Sequence, residues 1–360
     1  MFKNSNNERT LSQNFFKIYI STTPLFYNNS LHRTKYTCTL FRMKGSQMAS
    51  QEVVSEVIPL IEEAYFVKGD KFKDKSKDYG FTATNLHKSL FKLKKELPEN
   101  EHLQCILPYY WYRHGPFSEV VAQAVEQMEL DGLLVKERDV LHLNRERVTQ
   151  DLSLDKDVRR GFKSALKHFN PYNAAAFIEE IYKDYAPYPF IPAFKIDFIE
   201  TINKYTSNLT LGQIQLDTYS DVSILRDYIF ECETELPTNP LFDQFNTLFS
   251  SFTTDALRVF NYLREVDNDA VLLNKVLRMA EDYVWTTFAY GIRIIEHDSA
   301  YDINLKTWNE IYNNSLNELS SQVRAFRSDI LSTIRGTLRC EQDEKLQKFL
   351  STVMQNTVCR

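Results

Sequence analysis

Tyr109-Tyr110-Trp111-Tyr112-Arg113-His114-Gly115-Pro116-Phe117-Ser118 runs four consecutive aromatic side chains into a Gly-Pro break. Beyond the break, Phe117, Val120, Val121, Ala124, Val125 and Met128 recur at helical spacing, which predicts an amphipathic helix from Pro116 to Asp131. Pro116 then occupies the first helical turn, where a missing N–H costs nothing. Ser118 and His114 are expected to cap that helix, and Gly132 suits its end. Leu133–Lys136 and Val140–Leu143 follow as a short β-hairpin turned at Glu137-Arg138-Asp139.

Upstream, Val53, Val54, Val57, Ile58, Ile61 and Tyr65 make one stripe of a helix over Glu52–Phe66. The alternating charges from Lys68 to Asp78 read as a solvated loop. Thr82 or Thr84 can cap a second helix, Asn85–Leu97, with Leu86, Leu90, Leu93 and Leu97 inward. Lys88, Lys92 and Lys95 are then expected to face outward. Helices, a strand, a third helix and a hairpin form the layout of a winged-helix module.

Texture changes after residue 150. Only Gly161, Gly212, Gly291 and Gly336 follow, and no proline occurs from Leu241 onward, so long helices are expected. Leu241, Phe245, Leu248, Phe252, Ala256, Val259 and Leu263 step by three and four, as do Leu305, Trp308, Tyr312, Leu316, Leu319, Val323, Phe326 and Ile330. Between them Leu272–Ile295 is apolar on more than one side. Two amphipathic helices flanking a more buried one describe an antiparallel bundle. The expected fold is therefore mainly α, in three parts. Residues 1–48 are a basic leader or precede the true start, 49–150 a winged-helix-like domain, and 151–360 an all-α bundle. The Leu305–Ile330 stripe is read as packing internally, with pairing to a second copy of the chain as the alternative.

At Tyr112–Ser118 the chain resembles the Tyr-Gly-Pro-Tyr/Val-Ser type of signature found in Panacea (SocA-like) and YwgA-like domains, which are small, helical and winged-helix-like. The similarity runs back over Leu86–Leu93 and forward through Gln127-Met-Glu-Leu-Asp-Gly-Leu-Leu134 to the hairpin, roughly residues 80–145. His114 stands where the family carries an aromatic. The resemblance implies interaction with a partner, such as toxin neutralisation, delivery to a protease or regulation in defence, and brings no catalytic residues.

Charge and composition narrow the function classes. Net charge is −5, yet residues 1–50 carry seven Lys/Arg against one Glu, whereas 151–360 carry 22 basic and 30 acidic groups. No folded half has the positive field of a dedicated nucleic-acid binder. Five widely spaced cysteines without a Cys-x-x-Cys argue against a zinc ribbon or disulfide framework and for a reducing cytoplasm. Nine glycines leave no phosphate-cradling loop, and there is no Gly-x-Ser-x-Gly elbow, no Glu-x-Lys triplet and no Glu-x-x-His in the bundle. The reading is therefore non-enzymatic, with no cofactor, metal or membrane partner. Glu296-His297-Asp298 reads as a helix terminus.

Two binding readings remain. The first is a protein partner, contacted through Tyr109, Trp111, Arg113, His114, Glu119 and Glu126, because aromatics and arginine dominate interface energetics. The second is DNA, contacted through Lys88, Lys92, Lys136, Arg138, Arg145 and Arg147. No Lys or Arg occurs between His114 and Val135, so the third helix itself is unsuited to phosphate.

Overall fold

Residues 51–71, 80–148, 155–170, 173–210, 220–263 and 270–358 are described by the computed structural model. The leader and most of the Lys68–Asp78 charge run lie outside them. The architecture is mainly helical with small antiparallel sheets. Helix α1 (Gln51–Lys71) buries Val54, Val57, Ile61 and Tyr65, the face its spacing dictates. Helix α2 (Ala83–Glu96) is capped by Thr82, whose hydroxyl accepts from the Asn85 N–H at 3.2 Å. After α3 (Glu101–Ile106), the aromatic stretch enters β2 (Tyr110–Tyr112).

Here the fold departs from the sequence reading. Strand β3 (Gly115–Phe117) turns back antiparallel on β2, setting Trp111 opposite Pro116 and Tyr112 opposite Gly115. Gly115 takes φ +88°, a left-handed value that lets the chain reverse after the Arg113-His114 turn. Pro116 thus lies in an edge strand, where its missing N–H breaks no ladder, and not in a first helical turn. Helix α4 (Glu119–Leu130) begins only after Ser118, whose hydroxyl accepts from the Val121 N–H. His114 caps nothing.

Strands β4 (Leu134–Glu137) and β5 (Val140–Leu143) form the expected hairpin, turned at Arg138 with φ +57°. A short β1 (Phe81–Thr82) adds to it in the order β1-β5-β4. Helices α5 (Lys156–Ala165) and α6 (Ala174–Tyr185) close over α2.

The remaining chain is helical. A turn at Phe190–Pro192 (α7) continues as a π-helical segment, Ala193–Ile199, into α8 (Glu200–Thr210). Then come α9 (Ser220–Thr234), α10 (Asp243–Leu263) and α11 (Ala270–Arg278). A second π-helical segment, Met279–Trp285, leads into α12 (Thr286–Ile295), and α13 spans Leu305–Val358. Aromatic rings fill the centre: Phe190 packs against Phe194, Phe245, Phe249 and Phe288, and Phe242 stacks on Phe288 at 5.0 Å. The stripe of α13 from Trp308 to Ile330 is buried within this chain, so it is not free to pair with a second copy.

Buried side chains divide into two main clusters. One gathers residues between Val54 and Ile181; the other gathers residues from Tyr182 to Ile330 together with Trp111. Helices α5 and α6 thus pack with the N-terminal elements. Cys232 is a buried free thiol, whereas Cys105 is disulfide-bonded, against the expectation drawn from cysteine spacing. No described helix is long and apolar enough to cross a membrane.

The turn Pro240–Phe242 that leads into α10 meets α12 and α13 at Gly291, where an added Cβ would stand 2.7 Å from Phe242 Cε1 and 2.9 Å from Tyr312 Cε2. Both neighbours are rings held by other rings, so they cannot yield cheaply. Gly291→Ala should destabilise by about 1–3 kcal/mol through overpacking, read as a lowered Tm. An unchanged Tm would show that this contact is looser than described.

Candidate functional site

Three lysines of α2 tie the β2–β3 hairpin and its surroundings together. Lys88, Lys92 and Lys94 are only 1%, 5% and 7% exposed, so the outward orientation expected of Lys88 and Lys92 is corrected; Lys95 alone of the expected set is exposed. Lys88 Nζ donates to the His114 carbonyl beside the hairpin turn. Burial pulls its pKa down to about 7. Lys92 pairs with Glu180 of α6 at 2.5 Å, and Lys94 donates to the Leu107 carbonyl at 2.8 Å and to Asp298 Oδ2 at 2.6 Å. Apolar spacing placed these lysines beside the buried leucines, but not what would cover them. Hairpin and α6 supply the cover, along with the acceptors that burial requires.

Asp298 joins parts of the chain that lie far apart in sequence. Its Oδ2 also accepts from the Tyr109 N–H at 2.6 Å, and its own N–H donates to the Tyr109 carbonyl at 2.8 Å. The Trp111 N–H donates to the Glu296 carbonyl at 3.0 Å, and Tyr110 bridges His297 in antiparallel fashion. Glu296-His297-Asp298 is therefore more than a helix terminus: it lies along the free edge of β2 and satisfies it.

Beneath this seam sits a polar group inside an aromatic box. Arg293 of α12 is 7% exposed, with its guanidinium carbon 4.8 Å from the Tyr290 ring centre, 5.1 Å from Trp308 and 5.4 Å from Tyr112. Its Nε and Nη2 are buried without a hydrogen-bond partner among the described residues, as is His297 Nδ1 four residues on, past the end of the helix. Three ring faces offset part of the desolvation, at about 0.5–2 kcal/mol each. Glu119 is a carboxylate whose charge acts on Arg293. Burial raises its pKa, opposed by the Tyr110 hydroxyl and by Arg293, but it forms no ion pair with Arg293 among the described residues. Burial likewise raises the Tyr112 hydroxyl to about 12. A cavity of about 270 Å³ is lined by Tyr290, Asp282, Thr287, Ser315 and Glu318 among others, with no cation in its wall.

The residues singled out from sequence scatter differently from expectation. Tyr109 and Trp111 are core residues, packed on Phe91 and, for Trp111, on Tyr182, so neither offers a surface to a partner. Arg113 is half-buried, its carbonyl accepting from Trp285 Nε1 at 2.9 Å. His114 and Glu126 are exposed, and Glu119 is half-buried over the aromatic box. Lys136, Arg138, Arg145 and Arg147 are all exposed, with Arg147 Nη1 donating to the Asp131 carbonyl at 2.8 Å. The sequence reading missed Arg293, whose signal was a lone cation inside the apolar run Gly291-Ile-Arg-Ile-Ile295. No group of acidic, histidine and cysteine side chains able to hold a metal occurs among the described residues. No family model, curated protein or solved structure matches the chain.

Two measurements probe this arrangement. Removing one partner of a buried ion pair costs about 3–5 kcal/mol when the other is stranded. Asp298→Ala leaves buried Lys94 with the Leu107 carbonyl but no counter-charge, whereas Asp298, 43% exposed at its side chain, reaches water in Lys94→Met. Asp298→Ala should therefore lower Tm more than Lys94→Met; the reverse order would mean that Lys94 is not the buried member.

His87 gives a pH signature. Its Nδ1 accepts from the Ser118 N–H, which requires a neutral ring, and burial, then Lys88, lowers its pKa to about 3. The unfolded ring titrates near 6.5, so between pH 6.5 and 3 the unfolded state binds the extra proton and stability falls as pH falls. Above pH 6.5 this contribution is fully present. His87→Gln should flatten that acid limb relative to wild type, and parallel profiles would count against a buried neutral His87.

Proposed function

We propose that this chain is a non-catalytic partner-binding protein whose N-terminal elements form a winged-helix-like module. Supporting that reading are the β1-β5-β4 sheet beside α1, α2 and α4, and the interaction role implied by the resemblance to Panacea-type domains. Within that role an antitoxin-like, adaptor or defence-associated regulator fits best. One observation carries the choice of a protein partner. Leu130 is 75% exposed and Val135 46% exposed, and they flank the turn from α4 into β4. Exposed Glu126 and Glu129 precede them, and exposed Lys136 and Arg138 follow. Apolar side chains bordered by both signs of charge suit a protein surface, whereas phosphate demands one sign.

DNA is the second reading, favoured by the exposure of Lys136, Arg138, Arg145 and Arg147 on and beside the β4–β5 hairpin. With Lys88 and Lys92 buried, those four are what remains of the basic footprint.

Leu130→Asp with Val135→Asp changes only exposed positions and should leave Tm within about 0.5 kcal/mol of wild type in stability terms. The double variant should lose a protein that the wild-type chain retains through affinity purification. Retention by both would contradict the assigned surface. Duplex DNA anisotropy at about 50 and 200 mM salt distinguishes the second reading. Four phosphate contacts predict a log–log slope of about −3.6, at about −0.9 each, whereas the protein-partner reading predicts no binding with that slope.

A further inference from the structure

We infer that the Nε–Nη2 edge of Arg293, buried among the rings of Tyr112, Tyr290 and Trp308, is a binding site for a carboxylate group. These two nitrogens are the parallel donors of a guanidinium fork, the geometry that matches both oxygens of a carboxylate. The same chain uses that edge elsewhere: Arg159 holds Glu63 through Nε at 2.6 Å and Nη2 at 3.1 Å. On Arg293 the equivalent edge is buried and empty.

An unpaired guanidinium in such a place is expensive, because each stranded donor forfeits its hydration without return. Ring faces stabilise the charge from above and below but supply no acceptor in the guanidinium plane. Asp255 shows the alternative the fold adopts when it wants a closed pair: its buried carboxylate is met by both Arg258 and Arg327. Around Arg293 no described carboxylate closes in this way. Glu119 is held instead by the Tyr110 hydroxyl at 3.5 Å.

Charge and shape define the ligand. Arg293 brings a single positive charge, which a monoanion matches and a phosphate dianion exceeds, and burial raises the pKa of nearby Glu119. Tyr112, Tyr290 and Trp308 place flat apolar rings beside the guanidinium. Tyr112 and Tyr290 are each half-buried, and Tyr112 is next to the Arg113-His114 turn, so a ligand would enter by displacing these rings. Entry through the cavity that Tyr290 lines is disfavoured, since Asp282 and Glu318 would repel an anion. This site is separate from the α4–β4 surface assigned to a protein partner and stands or falls independently of it.

Benzoate is the probe, titrated into the full chain and compared with inorganic phosphate at matched ionic strength. Saturating benzoate should raise Tm by about 3–4 °C, the shift expected for a ligand at roughly a hundred times its Kd on a protein of this size. It should also move the Arg293 Nε–H resonance in arginine-labelled protein. Arg293→Lys keeps the charge without the fork and should abolish the Tm rise. Absence of both responses, a Tm rise undiminished in Arg293→Lys, or a response to phosphate and not to benzoate would each overturn the assignment. If Arg293→Lys does not fold, the wild-type Nε–H resonance decides alone.

Discussion

One carboxylate, that of Asp298, meets the Lys94 ammonium and the Tyr109 N–H at the same oxygen, while its backbone N–H returns a hydrogen bond to Tyr109. Much else depends on this junction. It fixes the segment after α12 along the outer edge of β2, which turns a two-stranded hairpin, marginal alone, into a backed element. It sets the direction of Trp111, the N-terminal side chain that enters the C-terminal core. It also places Tyr110 and Tyr112 against α12 and α13, so the aromatic box around Arg293 exists only because the junction does.

Burial of Lys88, Lys92 and Lys94 on one helix is a costly way to hold a hairpin. Each ammonium loses its hydration, and each recovers it from a carbonyl or carboxylate supplied by a distant element. The return is specificity: a lysine that must find the His114 carbonyl or the Glu180 carboxylate admits one docking of hairpin and α6, whereas apolar packing tolerates several. A consequence follows for binding. Side chains spent on internal acceptors are not available to phosphate, and the basic character of α2 in the sequence does not reach the surface.

Periodicity made the helices legible. The stripes of α1, α4, α10 and α13 bury as their spacing dictates, and the β4–β5 hairpin stands where its turn residues place it. What periodicity could not give was partnership. The Gly115-Pro116 pair reads equally as a helix start or as a strand, and only the pairing with β2 decides. Lysine at helical spacing opposite leucine reads as solvated, and only the covering hairpin reverses that. Arg293 was visible as a lone cation in an apolar run, but its empty fork depends on rings from Tyr112 and Trp308, far away in the chain. Long-range closure of this kind is invisible to local pattern.

Hydrogen exchange at the Trp111 and Asp298 amides tests the junction most directly, since their acceptors, the Glu296 and Tyr109 carbonyls, lie across it. Both amides should exchange only through opening as costly as that of the core helix α12, and Asp298→Asn should accelerate them together. Exchange of either amide at the rate of an open loop, with α12 still protected, would contradict the account.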